Sequence, residues 1–328
     1  MLKKFFLLAL LMALLTACTP TPEENSALPN SPMVESPVTQ KKCGDDVCDG
    51  PENTANCPQD CQISSASQPA NTEEAGFWIM NPSSGAALYT RILEPANSNT
   101  SSLPALILIP GGTGTIDANK AQRIADEGFI VIFFDPDGRG QSEGEEDYNG
   151  TIQQDGLAAV IREVAALPQV DEARFGVASF SYGVTMATGT LARYPDLPVR
   201  FYIDWEGPVN RIYTTTGCTA NNPRIEWRSC DDDEWWAERE ALNFIGDLQV
   251  PYQRLQSERD HVQTTNDHAI EIINAAVAGT APWVRLNDYS PNQSYDINNQ
   301  PNMYAENSGE STEALFARHA LEILAMLE

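Results

Sequence analysis

Short, continuous apolar runs alternate with helix-like segments over most of this chain. Continuous apolar runs are typical of strands that are buried on both faces of a parallel sheet. The predicted strands occupy residues 103–110, 129–135, 174–180, 199–205, 252–257 and 283–287, and the predicted helices occupy 117–127, 151–167, 181–194, 264–278 and 312–327. The alternation predicts an α/β domain with a mostly parallel central sheet and helices on both faces.

Two further strand-like runs, 76–80 and 86–93, precede this pattern, and the turn-forming residues 81–85 separate them. They predict a hairpin at the start of the domain. Parallel sheets bind ligands where the carboxyl ends of their strands emerge. The residues that follow each strand are therefore the first place to look for chemistry.

The first 17 residues carry two lysines followed by an apolar run, which is the pattern of a secretory signal. Small residues just before Cys18 resemble the lipobox of bacterial lipoproteins. The resemblance implies that Cys18 becomes the lipid-bearing first residue. The chain would then be anchored in the bacterial cell envelope, facing the periplasm or the exterior. The alternative is an ordinary signal peptide with an incidental cysteine.

Three short regions separate the signal from the α/β domain. Residues 18–42 are polar and proline-rich, which predicts a disordered tether, and residues 62–75 form a second polar linker. Residues 43–61 contain four cysteines and are too few to bury a core, so disulfides would hold them together.

Cysteine arithmetic agrees with a secreted protein. The chain has 7 cysteines, and lipidation of Cys18 would leave an even number for pairing in an oxidising compartment. We predict that Cys218 pairs with Cys230. The four clustered cysteines, Cys43, Cys48, Cys57 and Cys61, would pair among themselves in any of about three connectivities.

The cysteine-rich segment also carries oxygen ligands of the kind that calcium prefers. It resembles small cysteine-rich repeats of extracellular microbial proteins, and calcium would bind to Asp45, Asp49, Glu52 and Asp60. The alternative is a disulfide knot with a solvated acidic face and no metal. No organic cofactor is implied by any part of the chain.

The charge balance excludes one class of partner. With 46 acidic and 20 basic residues the formal net charge is −26. Such a surface repels phosphate backbones and anionic headgroups. We therefore expect no nucleic-acid partner, and we expect any attachment to the membrane to come from the lipid.

The segment 175–183 is an apolar strand that runs into Ser181 and then into a helix-like segment. A sharp turn of this kind, a nucleophile elbow, requires small residues two positions before and after the nucleophile, because the backbones nearly touch there. Ser179 and Gly183 occupy those positions. The usual first residue is glycine, so the chain departs from the pattern by one hydroxymethyl group.

Two more motifs complete the pattern: Ile-Pro-Gly-Gly-Thr-Gly at 109–114 and Asp-Pro-Asp-Gly-Arg-Gly-Gln-Ser-Glu-Gly at 135–144. With the elbow, they resemble the α/β-hydrolase superfamily over residues 76–328. The resemblance implies an α/β-hydrolase fold with a cap insertion at about 208–246. It also implies Ser181 as nucleophile and an oxyanion hole made by the amides of Tyr182 and of Gly112 or Thr113.

The resemblance assigns the acid more easily than the base. Asp260 follows a predicted strand where the family places its triad carboxylate. The family's histidine lies after the last strand, yet residues 283–300 contain none. Only His261, His268 and His319 are available.

Position decides between the three histidines. His319 shares a helical face with apolar residues and is predicted to face the core, and His268 is predicted to be a surface or half-buried residue. His261 lies at the functional edge of the sheet and is our predicted base. Neighbouring side chains usually diverge, so Glu206 or Asp204 could orient His261 in place of Asp260.

The sequence thus predicts a surface-anchored serine hydrolase that cleaves esters, in preference to amides, through an acyl-enzyme on Ser181. Its substrate would be a small molecule or a peptide or ester. Two other classes stay open: a non-catalytic binding protein on a hydrolase scaffold, motivated by the missing histidine, and a calcium-dependent adhesion or scaffold protein.

Overall fold

The computed structural model describes residues 76–96, 103–214, 228–305 and 309–328, all within one compact unit, Asn71–Glu328. The predicted signal, tether, cysteine-rich segment and linker lie outside the described residues. So do Cys18, Cys218 and the four calcium candidates, Asp45, Asp49, Glu52 and Asp60. The predictions made for those residues therefore stay predictions, including the pairing of Cys218 with Cys230.

The domain is built on a sheet of eight strands. They are β1 (Phe77–Met80), β2 (Ala87–Leu93), β3 (Leu103–Ile109), β4 (Ile130–Phe134), β5 (Val170–Phe180), β6 (Phe201–Trp205), β7 (Tyr252–Leu255) and β8 (Val284–Leu286). Their order across the sheet is β1-β2-β4-β3-β5-β6-β7-β8. The predicted hairpin is β1 and β2; β2 pairs antiparallel with β4, and the pairs from β4 to β8 are parallel.

Helices cover both faces of the sheet, as the alternation predicts. They are α1 (Ala118–Asp126), α2 (Thr151–Ala165), α3 (Gly183–Arg193), α4 (Asp233–Ala237), α5 (Asp267–Ala278) and α6 (Thr312–Leu327). Side-chain caps fix several starts: Asp117 accepts a hydrogen bond from Lys120 N, and Ser311 accepts one from Ala314 N. Such caps satisfy amides that the first turn of a helix leaves without a partner.

Two apolar clusters form the core, one on each face of the sheet. The first packs α2, α3 and α5 against one face, and the second packs α1 and α6 against the other. Neighbouring strand residues alternate between them: Ile107 belongs to the first and Leu108 to the second. Burial on both faces explains why the strands read as continuous apolar runs.

The predicted insertion, about 208–246, contains α4 and the 3₁₀ turn Ala241–Asn243 in its described part, and a second 3₁₀ turn, Ile245–Asp247, extends just past its end. Trp236 is buried and Trp235 is half-buried. Arg239 fastens the insertion to the loop before α2, because its Nε donates to Asp147 O at 2.9 Å. Among the described residues, no helix combines the length and apolar character needed to cross a membrane.

Candidate active site

Ser181 occupies a strained bend between β5 and α3. Its φ is +49°, a left-handed conformation that costs a non-glycine residue about 1–3 kcal/mol. Its amide donates to Trp205 O at 2.8 Å. A Cβ added to Gly111 would lie 2.8 Å from Ser181 Cβ, and one added to Gly183 would lie 2.6 Å from Pro110 O. The close approach that the elbow motif predicts is therefore present at Gly183, and Gly111 of the glycine-rich loop also lies against Ser181.

The departure from glycine at position 179 has a local explanation. Ser179 is fully buried, and its Oγ lies 2.7 Å from the hydroxyl of Tyr202 on the neighbouring strand β6. The extra hydroxymethyl group is thus accommodated by a polar contact with the neighbouring strand. It supplies a partner for a buried phenol that would otherwise lack one.

An imidazole stands within hydrogen-bond distance of the elbow serine. His261 Nε2 lies 3.0 Å from Ser181 Oγ, and His261 Nδ1 lies 2.9 Å from Glu206 Oε2. A carboxylate accepts hydrogen bonds only, so it selects the tautomer with a proton on Nδ1. Nε2 then presents its lone pair to the serine hydroxyl, as a general base must.

Backbone hydrogen bonds hold the Glu206 carboxylate in place beside the imidazole. It directly follows β6, its φ is +50°, and its side chain is 1% exposed. Its Oε1 accepts from Ser257 N at 3.1 Å, and its Oε2 accepts from His261 N at 3.0 Å in addition to the ring bond. Both oxygens are thus engaged with the loop that carries His261, which fixes that loop to the end of β6.

The structure places Asp260 differently from the prediction that it orients the base. Its Oδ1 is 3.5 Å from His261 Nδ1 and accepts instead from Val262 N at 2.8 Å and Gln263 N at 2.7 Å. Burial alone would raise the pKa of Asp260, but contacts with His268 and these amides hold it well below its usual value. Asp260 therefore shapes the turn that presents His261, and Glu206 makes the bond to the ring.

Asp204, the other acid that could orient His261, lies outside the site. Successive residues of a strand point to opposite faces of the sheet. Asp204 is fully buried on the face opposite to Trp205, where it pairs with Arg254. Tyr252 also donates to it at 3.0 Å. Its role is to balance a buried guanidinium.

The remaining histidines bond elsewhere. His268 is fully buried, so the prediction of a surface or half-buried residue is wrong; its Nε2 lies 3.2 Å from Asp260 Oδ2. His319 faces the core as predicted, and burial lowers its pKa to about 4. Its ring contacts Tyr304 at 2.9 Å and Arg285 at 2.7 Å.

The base and its carboxylate each stand one strand earlier than the superfamily resemblance implies. His261 follows β7 and Glu206 follows β6, where the last strand, β8, and β7 were expected. The position after β8 belongs to Asn287, whose side chain accepts from Gln256 N at 2.8 Å and donates to Gln256 O at 2.9 Å. These two bonds tie the end of β8 to the residue that follows β7.

Backbone amides are available beside the serine for negative charge. Tyr182 precedes the first turn of α3, and helix starts favour anions. The glycine-rich loop turns tightly at this point: Gly112 has φ +55°, and Gly114 N donates to Gly111 O at 3.1 Å. The contact between Gly111 and Ser181 places this loop next to the elbow, where the predicted donor Gly112 follows.

The motif at 135–144 supports the elbow through a chain of hydrogen bonds. Arg139 is buried, 3% exposed, and donates to Glu146 at 2.7 and 2.8 Å and to Asn149 at 2.9 Å. Asn149 in turn donates to Tyr182 O at 2.9 Å. The motif at 135–144 therefore acts through the loop 146–149, which holds the residue after the nucleophile in place.

A cavity of about 730 Å³ opens beside His261. Its size lies within the range of small-molecule sites. It is lined by Trp205, Glu206, Ser257, Arg259, Asp260, His261, Val262, Gln263 and Thr264. Glu206 and Asp260 are engaged in hydrogen bonds within the protein. The cavity itself opens next to His261, so it can receive part of a substrate close to the reacting atoms.

Two groups of side chains among the described residues have the spacing of metal ligands: Glu206, Asp260 and His261, and Asp288, His319 and Glu322. An ion in the first group would compete with the hydrogen bond from His261 to Glu206. In the second, Arg318 and Arg285 already pair with Asp288 and Glu322. Neither group is needed as a metal site to explain the serine and histidine geometry.

Comparisons with known proteins agree with this architecture. Residues 84–278 match the family described as X-Pro dipeptidyl-peptidase (S15 family). No curated protein matches the chain.

Three solved structures share its fold. Dipeptidyl peptidase 4 of Porphyromonas gingivalis is 18% identical with a TM-score of 0.57, over 77% of this chain and 35% of that one. The α/β hydrolase GrgF of Penicillium sp. sh18 is 15% identical with a TM-score of 0.56, over 78% and 99%. Est1E of Butyrivibrio proteoclasticus, solved with ferulic acid, is 14% identical with a TM-score of 0.55, over 76% and 98%.

Length separates these relatives. The chain spans only 35%, 39% and 41% of the first three peptidases that it matches in structure. The family match itself covers more than half of the chain. With that match and an α/β-hydrolase fold, this chain belongs to the family described as X-Pro dipeptidyl-peptidase (S15 family).

Proposed function

We propose that this protein hydrolyses ester bonds through an acyl-enzyme on Ser181. The observation that carries the proposal is the row formed by Ser181 Oγ, His261 and Glu206, with distances of 3.0 and 2.9 Å. Serine is a poor nucleophile until an adjacent base takes its proton, and this row supplies such a base.

In the acylation step, Ser181 Oγ attacks the carbonyl carbon of the ester while its proton moves to His261 Nε2. A bond forms between Oγ and carbon, and the carbonyl oxygen becomes an oxyanion. The imidazolium, stabilised by Glu206, then donates the same proton to the departing alcohol oxygen as the bond between carbon and leaving group breaks. Water repeats the sequence on the acyl-enzyme and restores Ser181.

The amides of Tyr182 and Gly112 are the proposed donors to the oxyanion. Donors that are fixed before the reaction need no reorganisation when charge develops, and each contributes roughly 3 kcal/mol elsewhere. The positive φ of Gly112 and its tight loop keep one amide in place. The hydrogen bond from Asn149 to Tyr182 O orients the peptide on the other side of the same residue.

Two arguments favour esters over amides. The departing alcohol of an ester needs less help from a general acid than an amine does. In addition, the chain covers 98% of Est1E, which was solved with ferulic acid, and 99% of GrgF, because both are about as long as the α/β domain; it covers much smaller shares of the peptidases. A peptide substrate of the kind named in the family description is the competing possibility.

The test compares matched substrates on one enzyme. Purified protein would be assayed with p-nitrophenyl acetate and butyrate, and with glycyl-prolyl p-nitroanilide. We expect ester hydrolysis with kcat/KM well above that of the anilide, and its loss in Ser181→Ala. A higher value for the anilide would assign the protein to the peptidases, and ester hydrolysis that survives the substitution would refute Ser181 as nucleophile.

The rival of a non-catalytic binding protein has lost its main support. It rested on the absence of a histidine after the last strand. The structure supplies an imidazole from a different loop, within hydrogen-bond distance of Ser181. Labelling of Ser181 by a fluorophosphonate separates the two classes directly.

We also propose that the chain is anchored at the cell envelope by a lipid on Cys18, on the strength of the sequence alone. Growth with a palmitate analogue should label the wild type and not Cys18→Ser. Calcium binding by Asp45, Asp49, Glu52 and Asp60 is likewise a proposal. Calorimetry on the full chain, with and without their replacement by asparagine or glutamine, tests it; no heat difference at millimolar calcium would remove it.

A further inference from the structure

Trp205 contacts both the elbow and the base, and it also lines the cavity beside them. Its carbonyl accepts from Ser181 N at 2.8 Å. Its ring stacks on the ring of His261, with centroids 4.6 Å apart and an interplanar angle of 29°. It also lines the cavity beside His261. Trp205 takes no part in the proposed proton transfer or in the oxyanion hole.

The indole is held in place by aromatic neighbours. Trp205 and Asp204 point to opposite faces of β6, and Trp205 packs against the cluster of α1 and α6. Phe180 meets it edge to face at 6.3 Å, and Phe180 in turn lies 4.8 Å from the buried Phe316. The face that Trp205 offers to His261 is therefore fixed by the core, at the end of a strand.

The chemistry of the site makes this contact stronger during the reaction than before it. Neutral imidazole gains only stacking from an indole. Once His261 has taken the proton of Ser181, it is a cation over the face of the aromatic side chain that binds cations best. An interaction that strengthens as charge develops lowers the barrier, whereas one of constant strength does not.

We propose that Trp205 is a positioning residue of this active site: its indole holds the His261 ring in line with Ser181 and stabilises the imidazolium formed during catalysis. The inference rests on the proposed serine hydrolase function. It adds a fourth residue to the row of serine, imidazole and carboxylate, on the ring face rather than at a ring nitrogen.

The test is a graded series at position 205. Trp205→Phe keeps a weaker aromatic face, and Trp205→Met keeps apolar volume without one. Trp283→Leu is the matched control, because Trp283 is half-buried and packs against the same cluster but precedes β8, at the opposite end of the sheet. Each variant would be compared with the wild type in kcat, KM, the pH profile of kcat/KM, the melting temperature and the rate of labelling by a small fluorophosphonate.

We expect kcat to fall in the order Trp, Phe, Met, by roughly 2- to 30-fold for Trp205→Met. The acid limb of the profile should move to lower pH in the same order. The charged and titratable groups facing His261 are Glu206 after β6, Asp260 of its own turn and Ser181 of the elbow, with Arg259 lining the same cavity. All are unchanged in the series, so the shift would report the indole. Trp283→Leu should change only the melting temperature.

Three outcomes would overturn the inference. A lower melting temperature with an unchanged pH profile and labelling rate would make Trp205 a core residue only. A change confined to KM would make it a wall of the cavity only. A folded Trp205→Phe with the activity of Trp205→Met would exclude the aromatic face. If the wild type itself were not labelled, the proposed function would fail, and that result is distinct from all three.

Discussion

Replacing Glu206 by glutamine tests which carboxylate orients the base. Glu206 accepts three N–H groups: Ser257 N on Oε1, and His261 N and Nδ1 on Oε2, at 3.1, 3.0 and 2.9 Å. A glutamine amide has one oxygen and one NH₂ group. In either orientation the NH₂ group of the glutamine faces an N–H donor. When it faces the His261 ring, it favours the tautomer in which Nε2 carries the proton and cannot accept from Ser181.

The expected loss follows from that tautomer. The corresponding substitution in serine proteases lowers kcat by about 10⁴ while leaving the geometry intact, so we expect Glu206→Gln to lose roughly 10³- to 10⁴-fold. Asp260→Asn is the matched control, because Asp260 Oδ1 is 3.5 Å from the same nitrogen and serves two backbone amides. It should cost less than about tenfold in kcat and about 1–3 kcal/mol in stability, since its NH₂ would face the Gln256 side chain.

The assay is ester hydrolysis at saturating substrate, with urea denaturation of the same preparations. The two variants should differ when both losses are expressed as free energies. In Glu206→Gln the loss in kcat should exceed the loss in free energy of unfolding, and in Asp260→Asn the loss in free energy of unfolding should be the larger. If Asp260→Asn were the slower enzyme, with Glu206→Gln close to the wild type, the reasoning from the observed hydrogen bonds would be wrong and the sequence-based choice of Asp260 right.

Three further substitutions test other parts of the account. Gly111→Ala should abolish ester hydrolysis, because its Cβ would come within 2.8 Å of Ser181 Cβ; near-normal kcat would contradict the described contact. Ser179→Ala should retain kcat but lose about 1–3 kcal/mol in urea denaturation, because the buried Tyr202 hydroxyl loses its partner; equal stability would contradict this. Burial lowers the pKa of His319 to about 4 from 6.5, so the unfolded chain binds that proton first as pH falls. The stability that neutral His319 supplies above pH 6.5 should be lost between about pH 6.5 and 4, and His319→Gln should flatten the pH dependence of the melting temperature in that window.

The architecture could be predicted because its signals are local. Each buried strand reads as an apolar run, so 199–205 was predicted where β6 spans Phe201–Trp205. The elbow and the two glycine-containing motifs are also local, because backbone contact permits only small residues at given positions. The sequence could therefore identify the sheet, the edge that carries the chemistry, and Ser181.

The partners of His261 depend on contacts that are distant in sequence. Glu206 bonds to the His261 ring although the two residues are 55 positions apart. The sequence indicated Glu206 only as an alternative to Asp260, at the end of a buried strand. Asp260 was preferred because of its place after a strand, but adjacency to His261 turns its carboxylate toward the backbone of the following residues. His268 is buried because Arg254 and Asp260 supply polar contacts, which no pattern around position 268 reveals.

The central claim is that Ser181 is a nucleophile activated by His261. Its most direct measurement is intact mass and peptide mapping after reaction with a fluorophosphonate. The account predicts one added phosphonyl group, located on Ser181, absent in Ser181→Ala and formed much more slowly in His261→Gln. An unlabelled wild type, a label on another residue, or equal labelling of His261→Gln would contradict it.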